Sequence, residues 1–237
     1  MGGGIRMLAD MYGKGCRCVK AVVLADIHSR LEPLERMKKP LSEADVVVLA
    51  GDITNFGGTD QIRAVIETIQ RYAGRVLAVA GNCDTPLVDA YLTEAGINLH
   101  GAAVCVEGWW FVGAGGALPD LGHLPNKAGE RLFTEALEQG LGRCGDPGRL
   151  VVVTHQPAWN TALDAVGPGR HSGNRAIRAF IDRACPRLAV SGHIHDLIGT
   201  DHVGPTTLVN PGPAKDGRYA DIELHDEDVR VFLQLLG

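Results

Sequence analysis

The sequence predicts an α/β fold in which parallel strands are covered by helices on both faces. Short apolar runs recur along the chain, and amphipathic helical patterns separate them, as in βαβ units with a buried parallel sheet. Polar residues stand directly after several of these runs, where open α/β sheets bind their ligands. The length of 237 residues suits one domain with a sizeable core.

The first half of the chain predicts three buried strands with helices between them. The apolar runs cover residues 19–25, 46–50 and 76–80. We expect helices over about residues 31–39, from a cap near Thr59, and from Pro86, because proline favours the first turn of a helix. The second of these helices carries one apolar face at the i, i+3, i+4, i+7 spacing, formed by Ile62, Val65, Ile66 and Ile69.

The second half predicts a hairpin, two further buried strands and a closing set of short strands. Residues 102–112 form the hairpin around Glu107-Gly108, and a loop rich in Gly, Pro and Asn follows over 113–129. We expect helices with inward Leu132, Phe133, Ala136 and Leu137 and with inward Ile177, Phe180 and Ile181. The strands cover residues 150–154 and 188–191, and short strands run from Thr206 to a last one over 229–236. These elements predict one domain over 19–237, with two sheets inside helical layers, after an N-terminal extension over 1–18.

Composition disfavours several function classes. The chain has 23 Lys and Arg against 28 Asp and Glu, a net charge of −5, whereas nucleic-acid and anionic-membrane binders need a basic surface. No apolar stretch approaches the ~20 residues of a membrane span, and residues 1–18 lack the apolar region of a signal peptide. Six cysteines without a Cys-x-x-Cys pair are typical of reduced thiols, and the single residue between Cys16 and Cys18 is poor zinc spacing. We therefore predict a cytoplasmic protein.

Metal-binding residue types follow five of the predicted strands. The set is Asp26, His28, Asp52, Asn82, His155, His193 and His195. Gly51, Gly81 and Gly192 each precede a member of the set, and we expect these glycines to let the backbone turn sharply. Imidazole nitrogens and oxygens suit Mn, Fe, Zn, Ni or Co better than Ca or Mg alone. Seven ligands are too many for one transition metal and favour two that share a carboxylate, an arrangement used for phosphoryl displacement.

The series Asp26-x-His28, Gly51-Asp52, Gly81-Asn82-x-Asp84, His155 and Gly192-His193-x-His195 resembles the calcineurin-like metallophosphoesterase superfamily. The stretch from His155-Gln156-Pro157 through Ser191-Gly192-His193-Ile194-His195 to Asn210-Pro211-Gly212-Pro213 further resembles small prokaryotic phosphoesterases related to a cyclic-nucleotide phosphodiesterase. The resemblance implies a four-layer αββα sandwich with a dinuclear site at the sheet edge, and manganese is the favoured metal. It places one ion on Asp26, His28 and His195 and the other on Asn82, His155 and His193, with Asp52 bridging them. It also implies that a hydroxide between the metals attacks phosphorus.

Candidate residues for proton transfer and substrate binding surround this set. The resemblance implies that the Asn82 amide donates to a phosphoryl oxygen. Cys83 stands where many phosphatases of the superfamily have histidine, and a neutral thiol is a weak donor; some small phosphodiesterases of the superfamily also carry Asn-Cys-Asp. Asp84 either orients neighbouring ligands or caps the helix before Pro86. Arg170 and His171 lie in a loop between two ligand-bearing strands, and they are candidates for phosphate neutralisation and proton donation.

The leading functional hypothesis is a metal-dependent phosphoesterase that hydrolyses a small phosphodiester. A phosphomonoesterase or a nucleotide pyrophosphatase is the alternative enzyme. A protein-interaction scaffold of the same fold is the alternative of a different class, and it predicts degraded ligands, whereas all seven are present here. The expected partner is a small phosphorylated substrate rather than a membrane or a nucleic acid, and a homo-oligomer is left open.

Overall fold

Two mixed sheets lie face to face in the computed structural model, which describes residues 18–118 and 129–237. In chain order the strands are β1 (Val19–Leu24), β2 (Val46–Ala50), β3 (Val76–Val79), β4 (Ala103–Val106), β5 (Trp109–Ala114), β6 (Leu150–Thr154), β7 (Ala165–Gly167), β8 (Arg170–His171), β9 (Leu188–Val190), β10 (Gly199–Val203), β11 (Thr206–Asn210), β12 (Arg218–Leu224) and β13 (Val229–Leu235). The helices are α1 (Leu31–Arg36), α2 (Lys38–Glu43), α3 (Thr59–Gln70), α4 (Pro86–Glu94), α5 (Glu130–Leu141) and α6 (Arg175–Ala184).

Parallel strands occupy the centre of each sheet. One sheet has the order β13-β12-β1-β2-β3 and the other β10-β11-β9-β6-β5-β4, while β7 and β8 form a separate small hairpin. In the first sheet β1, β2 and β3 are parallel, and in the second β5, β6, β9 and β11 are parallel. The carboxyl ends of β1, β2 and β3 therefore lie at one edge of the first sheet, and those of β6 and β9 lie at one edge of the second.

Three apolar clusters show that the layers are helix, sheet, sheet and helix. Consecutive residues of a strand point to opposite faces, so Val23 packs between the two sheets and Leu24 packs against the first helical layer. The middle cluster joins Val23 to Phe111 and Val153 of the second sheet. The third cluster packs the other face of the second sheet against α5 and α6. The predicted four-layer αββα sandwich is confirmed.

The predicted helix over 31–39 is wrong in one respect, because the chain forms two short helices that meet at Met37. Pro40 explains the break, since a proline in a helix interior clashes with the carbonyl four residues earlier. A second helix that begins at Lys38 places Pro40 in its first turn, where proline is tolerated. The cap of α3 is Gly58 rather than Thr59, which is the first helical residue.

The structure adds two features that apolar runs do not indicate. Strand β10 has exposed residues at alternate positions, and the hairpin of β7 and β8 lies within the segment predicted as a loop. The predicted N-terminal extension, apart from Cys18, and positions 119–128 of the predicted loop lie outside the described residues. Within the part of the chain that the structure describes, no helix is both long and apolar enough to cross a membrane.

Candidate metal centre

The strand-end residues of both sheets meet at one place. Within the first sheet, the backbone N–H groups of Asp26 and His28 donate to the carbonyls of Gly51 and Asp52 at 3.1 and 2.9 Å. Between the sheets, His155 Nδ1 lies 2.9 Å from the Ala50 carbonyl. These contacts fix the turn after β1 to the turn after β2, and they bring the turn after β6 onto both.

The Asp52 carboxylate lies between two groups of histidines. Its Oδ1 is 3.4 Å from His155 Nε2, and its Oδ2 is 3.8 Å from His28 Nε2. The nitrogen of His28 in turn lies 3.5 Å from His195 Nε2, and His195 Nε2 lies 3.3 Å from Asp26 Oδ1. The two oxygens of one carboxylate thus point to two different ligand groups.

His155 carries a lone pair that is directed at oxygen atoms. A carbonyl only accepts, so the contact with Ala50 requires the proton of His155 to sit on Nδ1. Nε2 then faces Asn82 Oδ1 at 2.9 Å and Asp52 Oδ1 at 3.4 Å. Such a buried arrangement of acceptors needs a proton or a cation at its centre. The residues present therefore fit a metal ion.

In the absence of metal, the pKa values of Asp52 and His155 also indicate that this site requires a positive charge. Burial raises the pKa of Asp52, but the charge of His155 and its hydrogen bonds outweigh burial and hold that pKa well below its usual range. Burial lowers the pKa of His155, but the carboxylate of Asp52 raises it to about 9. In metal-free protein a proton on His155 takes the place that a cation would occupy.

Two further histidines of the set have lowered pKa values. Burial lowers the pKa of His28, although the carboxylates of Asp52 and Asp26 oppose it. Burial and the neighbouring His155 charge lower the pKa of His193 to about 4, and the rings of His193 and His155 are 5.0 Å apart. Both side chains are therefore neutral at pH 7, as nitrogen ligands of a metal must be.

Four of the seven residues adopt left-handed backbone conformations. The φ angles are 54° at Asp26, 47° at His28, 48° at Asp52 and 71° at His193. Such conformations are sparsely populated by residues other than glycine, and they cluster at functional sites. Here they turn each side chain towards the candidate metal centre in the segment that follows its strand.

Gly51, Gly81 and Gly192 precede candidate metal-binding residues, and the structure explains two of them differently, one by a left-handed turn and one by close packing. Only Gly51, with φ of 82°, is left-handed among the three. At Gly81 a Cβ atom would lie 2.1 Å from the backbone nitrogen of Asp52. A side chain there would push apart the loop after β2, which contains Asp52, and the loop after β3, which contains Asn82; we call these the two ligand loops. The expectation of a sharp turn is thus supported at Gly51, whereas Gly81 is needed for close approach.

Asp84 connects the two ligand loops and caps no helix, since α4 is capped by Thr85. Its carboxylate is fully buried and accepts from the backbone nitrogens of Ile53, Thr54 and Gly81 at 3.1, 2.7 and 2.8 Å. The Thr54 hydroxyl donates to it as well, at 2.9 Å. Of the two alternatives left open by the sequence, this geometry favours orientation of the neighbouring ligands.

Cys83 lies beside the site as a thiol. Burial, followed by the charge of Asp52, raises its pKa far above the usual value, and its backbone N–H donates to Asp52 Oδ1 at 2.8 Å. The Asn82 amide nitrogen lies 3.4 Å from its sulfur. A thiol that stays protonated is a poor nucleophile, which disfavours Cys83 as a nucleophile.

Arg170 and His171 lie on the hairpin of β7 and β8, and Arg170 is exposed. His171 Nδ1 is 2.8 Å from Asp164 Oδ1, and its ring packs edge-on against Trp159 at 6.1 Å. Asp164 is buried, so the contact orients the His171 ring. Asp164 is thus a partner of His171 that the sequence did not indicate. The contacts of His171 with Asp164 and Trp159 involve none of the seven strand-end residues.

A cavity of about 460 Å³ opens beside His28 and His195, and its other lining residues are Arg30, Asn55, Lys215 and Asp216. The Lys215 ammonium lies 3.4 Å from His195 Nδ1. The sequence analysis did not identify the two positively charged side chains of this cavity, Arg30 and Lys215. The signal for Arg30 is its place two residues after His28, and the signal for Lys215 is its place two residues after Pro213.

Comparisons with known proteins agree with this geometry. Residues 19–224 match the family model of the calcineurin-like phosphoesterase superfamily domain. An uncharacterised protein of Methanocaldococcus jannaschii is 32% identical over 199 residues, which are 82% of this chain and 88% of that protein.

Two solved structures show the same fold. A Thermus thermophilus protein superposes with a TM-score of 0.69 at 17% identity, covering 91% of this chain and 99% of its own. A purple acid phosphatase from yellow lupin superposes with a TM-score of 0.61 at 10% identity, covering 94% of this chain and 52% of its own. Together with the match of the family model over most of the chain, these likenesses lead to one conclusion: the chain belongs to the calcineurin-like phosphoesterase superfamily.

Proposed function

We propose that this protein is a dinuclear metal-dependent phosphodiesterase that acts on a small substrate. Membership of the superfamily supports metal-dependent hydrolysis of phosphoric esters. The observation that carries the dinuclear assignment is the position of Asp52, whose two oxygens face His155 and His28 separately.

The resemblance of the sequence divides the ligands into two groups, and the position of Asp52 between His28 and His155 supports this division. Asp26, His28 and His195 would hold one divalent ion, and their ligand atoms lie within 4.8 Å of one another. Asn82, His155 and His193 would hold the other, with Asp52 shared. Bound there, two such ions would lower the pKa of a water molecule and draw charge from the phosphoryl oxygens. Manganese remains our choice of metal, on the resemblance of the sequence and the nitrogen and oxygen donor set.

The protein's own groups would bind and orient the substrate. The cavity volume of about 460 Å³ lies in the range of small-molecule sites. Lys215 and Arg30 supply positive charge on its wall, which suits a phosphate anion. Asn82 keeps its amide nitrogen towards Cys83, where it can donate to a phosphoryl oxygen while its carbonyl oxygen faces the metal side.

The preference for a diester rests on the Asn82-Cys83-Asp84 pattern. Cys83 stays a neutral thiol because its pKa is raised, so it is a weak proton donor to a leaving group. His171, oriented by Asp164, remains our candidate for that proton, with Arg170 as an outer cation on the same hairpin. A phosphomonoesterase remains the alternative enzyme, and relative rates on the two ester classes separate them.

The test combines metal analysis with two substrates. Wild-type protein stripped of metal and reloaded with Mn²⁺ should bind two equivalents and hydrolyse an aryl phosphodiester faster than an aryl phosphomonoester. Asp52→Asn should bind fewer equivalents and lose activity by more than the about 100-fold effect of groups that only support metal ligands. The matched control is Asp60→Asn, whose side chain is 97% exposed. Full activity of Asp52→Asn would refute the dinuclear centre, and faster monoester hydrolysis would refute the diester preference.

We also keep the proposal of a cytoplasmic location. The five described cysteines carry no disulfide, which is consistent with a reducing compartment.

A further inference from the structure

We propose a second metal site, for a zinc-class ion, formed by Cys18, Glu223 and His225. One ligand atom from each of these residues lies within 4.8 Å of the other two. His225 Nε2 is 3.3 Å from Glu223 Oε2, and all three residues are half-buried. A thiolate, an imidazole and a carboxylate are the donor types that Zn²⁺ takes in proteins.

Strand pairing brings these residues together from distant parts of the sequence. Val19 of β1 stands opposite Leu224 of β12. Cys18 directly precedes Val19 and His225 directly follows Leu224, so the two face each other across the sheet. Glu223 lies two residues before His225 and therefore on the same face. The spacing of cysteines in the sequence does not indicate this group, because only one of its members is a cysteine and the other two lie about 200 residues later.

The site is separate from the candidate metal centre. Cys18 precedes the first residue of β1, while Asp26 follows its last residue. With ~3.3 Å per residue of strand, the two sites lie more than about 20 Å apart. The proposed ion would join the start of β1 to the turn between β12 and β13, and it would leave the hydrolytic machinery untouched.

The surrounding charges both favour and oppose a cation. Burial and the charge of Glu223 raise the pKa of Cys18, with Asp45 acting in the same direction and Lys20 and Arg230 against it. Arg230 Nη1 lies 3.9 Å from Glu223, but its Nε donates to Asp228 at 2.9 Å. Arg230 therefore divides its charge between Glu223 and Asp228, and it weakens a cation site at Glu223 without occupying it.

Binding would exchange a proton for the metal. The Cys18 thiol releases its proton to solvent as the metal–sulfur bond forms, and His225 binds as the neutral imidazole, so affinity rises with pH. Three protein ligands leave one position of a tetrahedral ion for water.

Co²⁺ is a suitable probe, because cobalt bound to a thiolate shows a charge-transfer band in the near ultraviolet. Reduced, metal-free, full-length protein titrated with Co²⁺ should develop this band up to the intensity of one thiolate-bound cobalt per chain, after correction for cobalt that binds at the candidate metal centre without a thiolate, and Zn²⁺ should abolish the band. Cys18→Ser should abolish the band and keep the hydrolytic rate. His225→Ala should weaken Co²⁺ binding at this site by at least about tenfold, and Arg230→Gln should strengthen it.

The experiment must distinguish Cys18 from Cys83, because the Cys83 thiol also lies near candidate metal-binding residues, His28 and Asp52. Cys83→Ser and Asp52→Asn should both keep the band, which makes the result independent of the proposed hydrolytic centre. The proposal is overturned if wild-type protein shows no thiolate band, if Cys18→Ser retains it, or if Cys83→Ser removes it.

Discussion

Replacement of Asp84 by asparagine tests whether this residue holds the candidate metal centre together. In the native protein Oδ2 accepts from the backbone nitrogens of Ile53 and Gly81, and Oδ1 accepts from the nitrogen and hydroxyl of Thr54. An asparagine has one oxygen and one NH₂ group, so it can serve only one of these two pairs as an acceptor. The side chain has nearly the same shape, and the change therefore isolates the hydrogen bonds.

The structure determines which bonds are lost. The least costly orientation keeps the asparagine oxygen towards Ile53 and Gly81, because the Thr54 hydroxyl can rotate and accept from the new NH₂ group. The backbone N–H of Thr54 is then left facing a donor in a site with no solvent exposure. One buried unsatisfied donor costs about 1–3 kcal/mol, and the loss of charge weakens the remaining bonds. The loss of charge also removes the burial cost that raises the pKa of Asp84. We therefore expect the free energy of unfolding to fall by about 2 kcal/mol.

Urea unfolding of metal-free protein measures this effect as a lower transition midpoint at an unchanged slope. A loss of about 2 kcal/mol corresponds to about 4–8 °C in Tm for a chain of this size. The matched control is Asp60→Asn, with a side chain that is 97% exposed, and its effect should stay within about 0.5 kcal/mol. Equal midpoints for Asp84→Asn and wild type would refute the claim that Asp84 ties the ligand loops.

Three further predictions concern the same region. Gly81→Ala places a methyl group 2.1 Å from the backbone nitrogen of Asp52 in the loop after β2, so it should lower the free energy of unfolding in urea by about 1–3 kcal/mol. The control Gly74→Ala, whose added Cβ has nothing within 4 Å, should leave the free energy of unfolding nearly unchanged. Equal losses in the two variants would contradict the close packing of Gly81. In metal-free protein at pH 8, iodoacetamide followed by mass spectrometry should modify exposed Cys105 before Cys83, whose pKa is raised by burial; the reverse order would show a thiolate at position 83. Lys215→Ala should lower kcat/KM by at least about tenfold, the equivalent of one charge-assisted hydrogen bond, at unchanged metal content, and a wild-type kcat/KM would place Lys215 outside substrate binding.

The central strands and the meeting of polar side chains at the strand ends could be predicted from the sequence because both leave local signals. A strand in the middle of a parallel sheet is covered on both faces, so β2 and β6 appear as continuous apolar runs. A ligand that follows such a run lies at the sheet edge, and glycines mark the close approaches. Edge strands such as β10 have one solvated face and no such run, which is why the sequence did not indicate it.

Features that depend on distant contacts could not be predicted in this way. The sequence left two roles open for Asp84, and only its bonds to Ile53, Thr54 and Gly81 favour one of them. Lys215 reaches the site because the backbone after β11 hydrogen-bonds to the turn after β1, with Ala214 N donating to the Ala25 carbonyl at 2.7 Å. No periodicity encodes such a pairing.

The left-handed ligand positions explain why the site residues are recognisable at all. In the proposed dinuclear centre Asp26, His28, Asp52 and His193 would each supply a metal donor, and each of them adopts a positive φ. Aspartate and histidine are among the few residue types other than glycine that are enriched in this conformation, and both are ligands of transition metals. Backbone geometry and donor chemistry therefore restrict these positions to nearly the same residues. Asparagine shares the backbone tolerance but lacks the negative charge, so a loss of metal in Asp52→Asn would reflect ligand chemistry rather than a changed turn.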